Sequence, residues 1–219
     1  MSLSNKKLHH MLNKPHSRYR NIIFDLGGVL VHFKPRELIE LAFEEHAEKP
    51  WYLLDIIHTP EYAEIDRGTL TPEQAFNQLA ARFPDKPCKE HCNIFLQKVI
   101  DQLLPIEQGV KTLQAVRNKG FNTYILSNLF SLTHQRIASY EFLKLFDGAV
   151  FSYQVKMIKP QKEIYNHLLT TYNLDAHECL FIDDLEANIK GAQNVGIDGI
   201  VCKDHDHVVE ELKKRGILE

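Results

Sequence analysis

Five short runs of apolar residues frame the chain, at 21–24, 123–126, 148–151, 179–182 and 199–202. Each is unbroken instead of alternating, the pattern of a strand covered on both faces. The first ends in Asp25-Leu26-Gly27-Gly28, a turn-forming sequence. Between the later runs the apolar positions take a helical period. Val110, Leu113 and Val116 fall three apart, and Gly120 supplies a stop. The segments 163–172, 187–195 and 208–212 repeat this behaviour. Strands alternating with helices predict an α/β fold, a Rossmann-like three-layer core with a parallel sheet.

Spacing locates an insertion. From the second run onward, strand starts lie about 25, 31 and 20 residues apart, the length of ordinary βαβ units. The first two runs start about 101 residues apart, roughly 70 more than one crossover needs. The surplus reads as helical. Thr71-Pro72-Glu73-Gln74 is a capping box with proline in the first turn, and it leads into Phe76 and Leu79. Leu38, Leu41 and Ala42 form one apolar stripe; Ile94, Phe95, Val99 and Ile100 form another. The expected organisation is an N-terminal extension over 1–20, a core over 21–33 and 105–219, and an inserted all-helical cap over 34–104. An insert directly after the first strand lies over the carboxyl ends of the strands, where α/β ligand sites form, and can serve there as a lid.

Composition narrows the function. With 44% hydrophobic and 25% charged residues over 219 positions, the chain can bury a full-sized core. Its 26 basic and 29 acidic side chains give a net charge of −3, so no nucleic-acid partner is expected. No window approaches the roughly 18 apolar residues of a membrane span, and no secretory signal opens the chain. The first twenty residues hold five lysines and arginines and no acid, which leaves 21 basic against 29 acidic groups in the body. This segment reads as a partly ordered extension, with a targeting peptide or an anion-binding arm as the other reading. Four cysteines do not make a disulfide scaffold, so a reduced, cytoplasmic setting is expected, for a monomer or homodimer. Cys88 and Cys92 lack the spacing of a zinc knuckle, and Asp204-His205-Asp206-His207 reads as a solvated loop entering a helix.

Residues just past each strand of an open parallel sheet converge on one crevice. Here they are Asp25, Ser127 with Asn128, Lys159 with Pro160, and Asp183 with Asp184. Three carboxylates brought together raise one another's pKa unless a cation lies among them. Oxygen donors without histidine or cysteine suit Mg²⁺. A lysine and a hydroxyl beside such a metal make a socket for a phosphoryl group.

Asp25-Leu26-Gly27-Gly28-Val29-Leu30, Leu126-Ser127-Asn128, Lys159-Pro160 and the run from Phe181 to Asn188 stand in the order of the four motifs of the haloacid dehalogenase superfamily. No single motif is specific; four in order at predicted strand ends are. The chain resembles the subclass with a helical C1-type cap between the first two motifs, from about Asn21 to the C-terminus. It is most similar there to small DLGN-type sugar-phosphate phosphatases and to the phosphatase domain of soluble epoxide hydrolases. The resemblance implies a Mg²⁺-dependent phosphoric monoester phosphatase that acts on a small phosphorylated metabolite through an aspartyl phosphate. It makes Asp25 the nucleophile, Ser127 and Asn128 phosphoryl and substrate contacts, and Lys159 the group that neutralises charge, preferred over Lys156 and Lys162 because Pro160 follows it. It gives the metal to Asp25, Asp184, the Gly27 carbonyl and, through water or a neighbour, Asp183, with Asn188 facing back to the site. Gly28 and Arg67, the latter in a cap turn dipping toward substrate, complete the substrate-side candidates.

Gly27 departs from the pattern, because the superfamily's phosphatases carry there a second Asp as general acid, a group typically worth about 10²–10⁴-fold. Three readings stay open: a substrate with a good leaving group, a proton from His32, Asp66 or Arg67 or from water, or a slow or non-catalytic binding protein. A glycine also fits the metal-free 2-haloacid dehalogenases, against which the adjacent acids Asp183 and Asp184 argue.

Overall fold

Each of the five apolar runs is a strand. The computed structural model describes residues 17–219, so most of the basic extension lies outside the described residues. The strands are β1 Asn21–Phe24, β2 Asn122–Ser127, β3 Gly148–Phe151, β4 Cys179–Asp183 and β5 Asp198–Val201. All are parallel, in the order β3-β2-β1-β4-β5. β1 is central, and the chain reverses its direction of travel across the sheet between β1 and β4, the switch point at which such sheets bind ligands. Register brings the strand ends together there: Phe24 pairs with Ile125 on one side and Ile182 on the other. Asp25 therefore emerges beside Asp183, and its N–H donates to Ile182 O at 2.9 Å.

Six helices lie between β1 and β2, the first five of them in the insert: α1 Pro35–Ala42, α2 Leu53–Ile56, α3 Pro60–Arg67, α4 Pro72–Arg82 and α5 Cys88–Gln102. The rest are α6 Glu107–Asn118, α7 Ser131–Ile137, α8 Ser152–Val155, α9 Lys162–Tyr172, α10 Glu186–Gln193 and α11 His205–Lys214. The capping box at Thr71 forms reciprocally with Gln74, and Asp204 caps α11 through His207 N–H, so the Asp-His-Asp-His run is a helix start. β1 alternates its side chains between two cores. Ile22 and Phe24 meet Leu113 of α6 and Leu212 of α11, while Ile23 meets Ile164 of α9 and Ile189 of α10. The inserted helices hold a third core of their own, joined from the main body by Phe130.

Two details correct the sequence reading. The inward face of α1 is Leu38 and Ile39, with Phe43 just beyond, whereas Leu41 is 46% exposed. In α5 the buried stripe is Cys88, Cys92, Phe95 and Val99, a helical i, i+4, i+7, i+11 series in which the two cysteines act as small hydrophobes. At the N-terminal boundary, Tyr19 is buried in the main core and Arg18 pairs with Asp198 at 2.8 Å, so 17–20 pack with the body. Among the described residues no helix is long and apolar enough to cross a membrane.

Candidate active site

Asp25, Ser127, Asn128, Lys159 and Asp183 make the floor of the site. Lys159 is buried, and its Nζ stands 3.0 Å from Asp25 Oδ1 and 2.7 Å from Asp183 Oδ2. Lys156, its competitor in the sequence, instead donates to Gly68 O at the protein surface. Asp183 is fully committed: Asn188 Nδ2 lies 3.0 Å from both of its oxygens, and Leu185 N–H donates to Oδ1 at 2.8 Å. Its role is to hold Lys159 in place. The Asn128 amide clamps the backbone of Lys159, accepting from N at 2.9 Å and donating to O at 3.0 Å. Ser127, at the end of β2, is buried beside Asp25.

The charge of this cluster does not balance by itself. Asp25, Asp183 and Asp184 each bring an oxygen within 4.8 Å of the others, against one ammonium. Burial pushes Asp25 up to about 7, with Asp183 and Asp184 adding to the rise and Lys159 and Ser127 opposing it. Asp184 is raised to about 6, again by burial first and then by Asp183. Burial works against the Lys159 ammonium, yet the carboxylates of Asp183 and Asp25 hold its pKa above the ordinary value. An all-oxygen donor set carrying two negative charges in excess fits a hard divalent cation, and Asp25, Asp184 and backbone carbonyls are the groups able to hold it.

Gly28 packs against Asp184. Its φ is +69°, and a Cβ there would sit 2.5 Å from Asp184 Oδ2. Gly28→Ala is therefore expected to cost about 2 kcal/mol in urea unfolding, from the left-handed backbone and the displaced carboxylate. Gly27 carries no such constraint: its Cβ direction points at Phe33, 3.6 Å away in ordinary contact. Phe33 thus covers the place from which a longer side chain at 27 would reach out.

Over this floor lies a cavity of about 550 Å³, open on one side to solvent and lined by the sheet edge and the inserted helices. Of the proton donors considered from sequence, Asp66 lines it, whereas His32 and Arg67 do not. Arg67 ties Glu64 to Gln161 Oε1, at 3.1 Å each. Asp66 is partly buried, with no side-chain hydrogen bond, and burial pushes it to about 7 against the pull of Lys159. Sequence gave no sign of Ser152, whose hydroxyl accepts from Leu129 N–H at 2.9 Å and donates to Asp66 O at 2.5 Å. With Arg67–Gln161 and Lys156–Gly68 O it seats the end of α3 on the loops after β2 and β3.

Known proteins share both the pattern and the fold. The sesquiterpene phosphatase astK of Aspergillus oryzae is 29% identical over 198 residues, 90% of this chain and 96% of that protein. The D-ribitol-5-phosphate phosphatase of Bacteroides thetaiotaomicron is 24% identical over 191 residues, 82% of this chain and 89% of that one. A HAD family enzyme of the same bacterium, crystallised as an Asp-to-Ala mutant with magnesium and inorganic phosphate, superposes with a TM-score of 0.65 at 22% identity. That alignment covers 87% of this chain and 98% of the other. The haloacid dehalogenase-like hydrolase model matches residues 19–196, from the buried Tyr19 through all four motifs. The chain belongs to the haloacid dehalogenase-like hydrolases.

Proposed function

We propose that the protein is a Mg²⁺-dependent phosphohydrolase that cleaves a small phosphate monoester through an aspartyl phosphate on Asp25, with 34–104 as the cap and 21–33 and 105–219 as the core. The observation that carries this reading is the buried Asp25–Lys159–Asp183 triplet beside Asp184 at the switch point of the sheet. The magnesium and phosphate in the related crystal structure support it. Bound Mg²⁺, held by Asp25, Asp184 and the Gly27 carbonyl, supplies the positive charge that lets a dianionic phosphate approach these acids.

In this reading Asp25 Oδ1 is committed to Leu26 N–H, at 2.7 Å, and to Lys159. Oδ2 is then the atom that attacks phosphorus. The P–O bond to the alcohol breaks, and Asp66 gives its proton to the departing oxygen. Water then attacks the aspartyl phosphate, returns a proton to Asp66 and releases phosphate and Asp25. Ser127 hydrogen-bonds a phosphoryl oxygen, and Lys159 neutralises charge that builds up in transfer. The assignment of Asp66 rests on its being the cap carboxyl that faces the cavity, with a pKa that leaves it partly protonated at neutral pH. A metal-free dehalogenase gives Asp184 no cation to hold.

Phosphate release from acetyl phosphate, p-nitrophenyl phosphate, a hexose 1-phosphate and a hexose 6-phosphate, in Mg²⁺ and in EDTA, tests the reading. We expect turnover of the first two to fall at least about 100-fold in EDTA. Turnover untouched by EDTA, or halide release from 2-haloacids in its place, would reject it.

A further inference from the structure

The cavity is larger and more apolar than phosphoryl transfer requires. Past the polar floor its wall takes Phe33, Leu54 and Ile57 from the core of the inserted helices and Leu103, Leu129 and Ile137 from the main core. Few groups on that wall can serve a hydroxyl. Thr133 already donates to Phe130 O at 2.8 Å. Arg36 belongs to the rim, its side chain 70% exposed and its guanidinium stacked 4.6 Å over the Trp51 ring. His58 is likewise exposed. Tyr62 and Asp66 remain, and Asp66 has a task at the bridging oxygen. A hexose would bring several hydroxyls to a surface that can pair one or two, and each one left unpaired weakens binding about tenfold. A hydrocarbon meets no such penalty and gains about fourfold for each methylene removed from water.

We propose that the substrate is the phosphate monoester of an apolar alcohol, a linear or cyclic hydrocarbon that lies along the wall from Phe33 to Ile57 while its phosphate rests on Asp25, Ser127 and Lys159. The proposal rests on the phosphohydrolase reading and decides the class of its leaving group. Phe33, set against Gly27, is the start of this wall: hydrocarbon stands where an acid at position 27 would have projected.

Binding and turnover separate the two readings. Calorimetry of the Mg²⁺-loaded full chain with ethyl-, butyl-, hexyl- and octylphosphonate, which cannot be hydrolysed, measures the wall alone. Affinity should rise at least about a hundredfold from ethyl to octyl, the gain from three to four of the six added methylenes at about fourfold each, with an increasingly negative heat-capacity change. Octyl phosphate should likewise exceed hexose 6-phosphate in kcat/KM by about a hundredfold. Ile57→Asn, at a partly exposed wall position, should flatten the phosphonate series. An affinity that varies less than about threefold across the series, a series indifferent to Ile57→Asn, or tighter binding of hexose 6-phosphate than of octylphosphonate would overturn the proposal. If acetyl phosphate is still hydrolysed in that case, the phosphohydrolase reading stands without it. If the phosphonates bind as expected and no monoester is cleaved, the pocket stands and the hydrolase reading falls.

Discussion

Asp25→Asn should leave a folded protein whose phosphate release is lower by at least about four orders of magnitude on every substrate, acetyl phosphate included. An amide of the same shape can accept from Leu26 N–H and Lys159, but it cannot form the phosphoryl–enzyme bond. The fold should tolerate the change, since Asp183 still partners Lys159 at 2.7 Å. Stability carries a second signature. Without metal, the folded Asp25 has a pKa of about 7, above its ordinary value of 3.8. The native state then binds a proton that the unfolded chain has already released, so this group's stabilisation is present at low pH and is lost as pH rises through 7. Chemical unfolding of the metal-free protein between pH 4 and 8 should show that decline, and the Asn variant should flatten it. Metal-dependent turnover above about 1% of wild type in the variant would remove Asp25 from the nucleophile's role.

Asp66→Asn should lower kcat about 10²–10⁴-fold on an alkyl phosphate, whose alkoxide cannot leave unprotonated. The loss should shrink to less than about tenfold on acetyl and p-nitrophenyl phosphate, whose leaving groups need little help. pH separates this from a structural effect. Asp66 is raised to about 7 by burial, and its acid form drains away above that value. The alkaline fall in kcat for the alkyl ester should start near pH 7 in the wild type and disappear in Asp66→Asn. A uniform loss on good and poor leaving groups alike would make Asp66 a docking residue of the cap.

How much of this was legible in the sequence depended on how local the signal was. Unbroken runs such as Cys179–Asp183 mark buried strands, because no other local structure hides both faces of so few residues. The residues at their ends could be listed for the same reason, and the surplus between β1 and β2 announced the inserted helices. What escaped depends on long-range packing. The phase of α1 is set by the neighbours that cover Ile39 and Phe43, and a stripe drawn through Leu41 cannot know them. The spacing of Cys88 and Cys92 excludes a zinc knuckle, and only their helical phase with Phe95 and Val99 marks them as core. The tie between Asn128 and the Lys159 backbone spans 31 residues of sequence and leaves no local mark. The cavity lining is assembled from six separate stretches of chain, each ordinary by itself, so no motif could contain it.

The Ser152 hydroxyl gives the cap's seating a chemical meaning. One oxygen bonds the backbone of Asp66 and the backbone of Leu129, two residues past Ser127. Any separation of the end of α3 from the sheet edge breaks that bridge and withdraws the Asp66 carboxyl together with it. Closure and protonation thereby become one event. A molecule whose phosphate fits but whose alcohol props the helices apart would occupy the site, lacking an acid, and leave intact. Such an enzyme would reject an ester too bulky for closure after capture, and that part of its discrimination would be written in kcat, beside the preference the apolar wall exerts in binding.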